Sequence, residues 1–118
     1  MERLAAMEQS GVEVEVDWLE DDEAHTFTFN LPGLRAKDVK VQILNNNTLQ
    51  VSGVHPIRER SLGIWRTKER PVGPFHRTFC LSGEVLVSQV KAFDVDGLLV
   101  VKVPKKKSFA RTIPITSF

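Results

Sequence analysis

The chain has 118 residues, 42% of them hydrophobic and 26% charged, with a formal net charge of +1 and one cysteine. That length fits one domain with a modest core. Near-neutrality gives no overall pull toward nucleic acid or a membrane, and a lone cysteine excludes an internal disulfide and the usual zinc spacings. The charge is unevenly spread, however. Residues 2–23 hold nine acids against Arg3 alone, whereas 102–111 hold Lys102, Lys105, Lys106, Lys107 and Arg111 without an acid. These ends should attract each other, or a partner's opposite end, at short range.

The opening MERLAAMEQSG has a four-residue apolar run hemmed by Glu2 and Glu8, too short for a signal peptide or a membrane span. The terminal Thr-Ser-Phe is no peroxisomal address, so a cytoplasmic location is expected. Next comes VEVEVDW (12–18), whose alternation predicts a strand with Val12, Val14, Val16 and Trp18 on one face. HTFTFNL (25–31) alternates again, and Pro-Gly stops it. RAKDVKVQIL resumes with Val39, Val41 and Ile43 facing one way. NNN (45–47) is a turn, and TLQVSGV returns as the second strand of a hairpin.

Residues 55–74 form a basic stretch punctuated by Pro56, Gly63, Pro71, Gly73 and Pro74, with one short strand-like piece, IWRTK (64–68). A loop of this length in a small domain points to function or disorder. FHRTFCL (75–81) is a strand, and SGEVLVSQ an irregular connection with room for one helical turn. VKAFDV, Asp96-Gly97 and LLVVKV make a last hairpin. Its second strand is apolar on both faces and is therefore expected at the centre of a sheet. Seven to nine short strands at this spacing predict an all-β fold, an antiparallel immunoglobulin-like β-sandwich.

Little in the chain points to catalysis or a cofactor. His25, His55 and His76 lack a second ligand at metal spacing and are expected on strand faces. Cys80 has no helix N-terminus or evident base beside it, so it is expected as a buried or half-buried thiol. No phosphate-binding glycine loop or nucleophile elbow occurs, and Asp94 and Asp96 flank a turn. The lysine run 105–107 has no interleaved aromatics and is expected to be a solvated linker, not a nucleic-acid site. Three features remain. Arg77 falls on the strand face of Phe75, Phe79 and Leu81, where a guanidinium needs a partner. Trp65 stands in the basic loop as core or as an interface anchor. Ile113, Pro114 and Ile115 stand beyond the last strand, two apolar side chains around a stiffening proline.

Together these residues resemble the α-crystallin domain of small heat shock proteins, in particular the plant form. The resemblance runs from VDWLEDDEAHTFTFNLPGL through LQVSG, IWRTKER, FHRTFCL and VKAFDVDGLLVVKVP to the tail IPI. Its most specific marks are Ala92, Gly97 and Leu99 and the terminal Ile-x-Ile. It divides the chain into a very short N-terminal arm (1–15), the domain (16–104) and a C-terminal extension (105–118). Cys80 stands where a basic residue is common in the family, and Ser82 where proline is usual.

The resemblance implies an ATP-independent holdase that takes unfolding client proteins as partners and limits their aggregation. The alternative is a co-chaperone or hetero-oligomer subunit on the same fold. It also implies a homodimer made by exchanging the loop strand, with Ile64, Trp65, Arg66 and Arg77 at the interface, and assembly into small homo- or hetero-oligomers. The tail would plug a groove on a neighbour between the strands around 39–43 and 90–95, with Val39, Val41 and Phe93 as its acceptors.

Overall fold

The computed structural model describes residues 8–11 (backbone only), 13–56, 62–70, 72–107 and 114–116. Among them are eight strands: β1 (Glu8–Gly11), β2 (Val16–Glu20), β3 (Ala24–Asn30), β4 (Val39–Leu44), β5 (Thr48–His55), β6 (Gly73–Cys80), β7 (Lys91–Val95) and β8 (Leu98–Pro104). All pairings are antiparallel, in two four-stranded sheets ordered β1-β6-β5-β4 and β2-β3-β8-β7. The architecture is the predicted β-sandwich. Single 3-10 turns at Ala36–Asp38 and Val87–Gln89 occupy two connections.

The inward-facing members of each alternation make the core. Phe27 and Phe29 of β3, Leu49 and Val51 of β5, Phe75 and Phe79 of β6, and Val101 and Val103 of β8 are buried. β8 does lie inside its sheet, between β3 and β7, as its apolar run requires. Both tight hairpin turns use left-handed backbone. Asn45 and Asn46 (φ 54° and 59°) turn β4 into β5, and Asp96 and Gly97 (φ 49° and 82°) turn β7 into β8. Asparagine, aspartate and glycine are the residues that tolerate this region best.

Three expectations need correction. The strand over 12–18 is interrupted at 13–15, because here the chain leaves the sheet of β1 and enters the sheet of β2. The facing of the side chains survives the crossing: Val16 packs against the core and Trp18 lies over Phe27, on the same side as Val14. Val14 is buried, and Trp18 covers the same side at the sheet edge with 37% of its surface exposed; Val12 lies outside the described residues. Cys80 is exposed, since alternation buries Phe79 and Leu81 on either side of it and turns the thiol outward. The lysine run is not free from its first residue. Lys105 N–H donates to the Glu23 carbonyl (2.8 Å) and Lys106 N–H to the Glu84 carbonyl (3.0 Å). The Lys105 ammonium also lies 2.7 Å from Glu20, so an acid of the front segment meets a base of the back one.

Candidate functional site

The two sheets do not close on each other at one side. β4 pairs only with β5, and β7 only with β8, so among the described residues both present an outer edge. Between these edges lies a groove of about 270 Å³. Its walls are Val39 and Val41 from β4 and Ala92 and Phe93 from β7. Leu31 and Leu34 close it from the corner after β3, and Gly97, Leu98 and Leu99 from the last hairpin. Arg35 and Asp94 add the charged members of the lining. Phe93 keeps 44% of its surface exposed, a large ring left half-uncovered on a strand edge.

The structure thus brings together two sets of residues that the sequence presented separately. Val39, Val41 and Phe93, singled out as tail acceptors, share this groove with Ala92, Gly97 and Leu99, singled out as marks of the fold. Leu31, Leu34, Ala36 and Leu98 were missed. The signal for the first two was the Leu-Pro-Gly-Leu stop itself: proline and glycine bend the chain, and Gly33 takes φ 80° there. The two leucines are thereby turned toward β4 and β7 instead of extending β3.

The described part of the tail lies outside this groove. Pro114, Ile115 and Thr116 are exposed, Ile115 at 85%, and none of them lines the groove. Ile113 lies outside the described residues.

The loop residues Ile64, Trp65 and Arg66 are exposed and form no ladder among the described residues, so the strand-like piece 64–68 is irregular backbone here. Among the described residues it has no facing strand to pair with. Trp65 keeps 55% of its surface, with the Lys68 ammonium 5.3 Å from its ring centre. Arg77 is half-buried on the core side of β6, as alternation required. Its guanidinium donates to the Val14 carbonyl and lies 5.1 Å from the centre of the Phe79 ring. Burial lowers its pKa, and the negative charge of Glu13 works against that shift. Arg77 therefore braces the crossover at 13–15 from beneath.

Among the described residues no three His, Cys, Asp or Glu gather into a metal-binding group, and no helix is long and apolar enough to cross a membrane.

Residues 17–116 match the Hsp20/alpha crystallin family, which takes in both sheets from β2 onward and the tail through Thr116. The chain belongs to this family. A 17.5 kDa class I heat shock protein of Glycine max is 41% identical over 105 residues, covering 88% of this chain and 69% of that relative. A 17.8 kDa class I heat shock protein of Arabidopsis thaliana is 40% identical over 107 residues, 86% of this chain and 68% of the relative. Among solved structures, heat shock protein 16.0 from Schizosaccharomyces pombe superposes with a TM-score of 0.72 at 27% identity, covering 87% of this chain and 97% of that one. A small heat-shock protein from Xylella fastidiosa reaches the same TM-score at 24% identity and shares the fold. The plant-like small heat shock protein resemblance therefore holds, and membership in this family supports a chaperone role.

Proposed function

We propose that this chain is an ATP-independent holdase. It binds partly unfolded proteins through exposed apolar surface and limits their aggregation, in the cytoplasm and without a cofactor. The observation that carries this reading is the groove between the open edges of β4 and β7, lined by Val39, Val41 and Phe93, with Ile115 of the same chain left exposed outside it. An apolar groove, with the described end of the apolar plug on the same chain not seated in it, fits an assembly in which the tail of one copy fills the groove of another.

The energetics suit a chaperone that must release its own cover. Fully burying Ile113 and Ile115 is worth roughly 3–6 kcal/mol at about 1.5–3 kcal/mol per side chain. Association costs on the order of the same amount. Pro114 limits the loss by holding the pair extended before docking. A single contact is then weak, while several tails on one assembly hold through effective concentration and still open one at a time. A seated tail also covers two sheet edges that would otherwise template aggregation. Dimers would form by exchange of the 64–68 segment, which is not part of a strand ladder among the described residues; Ile64, Trp65 and Arg66 would anchor them. Arg77 would support them from the crossover.

A light-scattering assay of a heat-labile client tests the reading. Suppressed aggregation at near-equimolar ratio, independent of ATP, is expected. No suppression at several-fold molar excess would refute it. If suppression appeared only on mixing with a longer relative, the chain would instead be a subunit of hetero-oligomers.

A further inference from the structure

His25 is the odd member of the core face of β3. It is as fully buried as Phe27 and Phe29, which share that face. Its Nδ1 accepts the indole N–H of Trp18 at 3.1 Å. An indole nitrogen only donates, so Nδ1 must offer a lone pair and the neutral ring carries its proton on Nε2. That Nε2 is buried with no hydrogen-bond partner among the described residues. The Trp18 ring lies over the site, its centroid 5.8 Å from His25, 4.9 Å from Phe27 and 5.7 Å from Phe79. Trp18 thus roofs three core rings, and its polar tie to them is a group that titrates.

We infer that His25 is an acid-sensitive latch for Trp18: a proton on Nδ1 turns that atom from acceptor into donor, breaks the Trp18–His25 hydrogen bond and lifts the indole from Phe27 and Phe79. The proton comes from solvent, one N–H bond forms at Nδ1, and no other covalent bond changes. Two N–H donors then face each other, and the new cation has no acceptor at Nε2. Both penalties are relieved when the imidazolium and its roof move toward water.

The charged groups around His25 set the direction. Glu20, directly opposite on β2, and Asp21 in the following turn favour the cation, whereas Lys105 after β8 opposes it. Glu20 is already engaged by the Lys105 ammonium at 2.7 Å and by the Ser82 hydroxyl at 3.2 Å. Burial outweighs these charges and holds His25 below the ordinary imidazole value of 6.5. A folded-state pKa depressed in this way means that the latch is shut above pH 6.5 and opens as pH falls through the lowered value. Because β2 is an edge strand and Leu19 beside Trp18 is already exposed, the roof can lift without dismantling the sheet. Opening adds the faces of Trp18, Phe27 and Phe79 to the exposed apolar surface. The resulting gain in client binding rests on the holdase reading; the latch itself does not. His55, buried with neither ring nitrogen hydrogen-bonded among the described residues, is the competing acid-sensitive group.

The test uses the full chain carrying Trp65→Phe, which leaves Trp18 as the sole tryptophan. Its emission and acrylamide quenching are followed from about pH 8 to about pH 4.5, with far-UV circular dichroism alongside. A red shift and a several-fold rise in quenching below pH 6.5, at constant circular dichroism, are expected. In the same background His25→Gln supplies an amide oxygen that accepts the indole N–H without titrating, and Trp18 should stay shielded throughout. His55→Gln should leave the transition in place. An unchanged transition in His25→Gln, its loss in His55→Gln, or no change in Trp18 before the fold is lost would each overturn the latch. Should His25→Gln fail to fold, the His25 ring protons and the Trp18 indole proton of the parent chain must titrate by NMR with one midpoint, and two different midpoints would refute the link. A chain that fails to protect clients at every pH would sink the holdase reading and leave the fluorescence result standing.

Discussion

The spine of the sandwich and its rim are built from similar apolar residues put to opposite ends. Along the spine, β3 and β8 pair over their full lengths, and Phe27, Phe29, Val101 and Val103 are wholly buried. At the rim, β4 and β7 each leave one edge open, and Val39, Val41 and Phe93 line a groove that the chain does not fill with its own described tail. On the proposed reading, stability is concentrated in one set of residues and association in another. A change in the spine should unfold the molecule, while a change in the rim should leave it folded and alter what it holds.

The largest expected effect is on the spine. Phe27→Ala removes a ring packed against Trp18, Phe29 and Phe79 and should cost about 3–5 kcal/mol, read from urea unfolding. That is a large share of the roughly 5–15 kcal/mol a domain has in total. Next comes Gly53→Ala on β5. A Cβ there would run into the Asp38 carbonyl oxygen and stand 2.9 Å from the Phe75 ring, so backbone must give way. About 1–3 kcal/mol of destabilisation is expected by the same measurement. Wild-type stability in this variant would show that the turn before β4 is loosely held.

The rim should respond differently. Phe93→Ala removes a side chain that is already half-uncovered, so the midpoint of unfolding should shift little. Assembly size measured by native mass spectrometry should nonetheless fall. A variant that unfolded readily while assembling normally would break the division between spine and rim. The smallest effect is electrostatic. Chiefly through its hydrogen bond with Lys105, the Glu20 carboxyl is held below the ordinary carboxyl value of 4.5. A depressed pKa in the folded state stabilises above pH 4.5, and this contribution is lost as pH falls through the lowered value. Lys105→Met should therefore flatten the acid limb of a plot of Tm against pH, with little change at neutrality, as befits an exposed pair.

Most of the spine was legible in the sequence, because period-two alternation reports directly on which side chains face a core. The position of β8 was legible for the same reason: an apolar run on both faces needs cover on both faces. The break at 13–15 was not, since alternation continues unchanged through Glu13, Val14 and Glu15 while the backbone changes sheet. The groove was half legible. Val39, Val41 and Phe93 came from the family resemblance, but Leu31, Leu34 and Leu98 read as the end of a strand and the start of another, and a corner joins them only in three dimensions. The pairing of Trp18 with His25 was hidden too. Seven positions apart in the chain, they meet because β2 and β3 align Trp18 with Phe27, one step along the face from His25.

The central claim, that the tail of one chain fills the groove of another, is tested most directly by light scattering on a size-exclusion column. The intact chain and Ile113→Ala/Ile115→Ala should be run side by side. The account predicts an assembly larger than a dimer for the intact chain and a folded dimer for the variant. Equal masses for the two would contradict it.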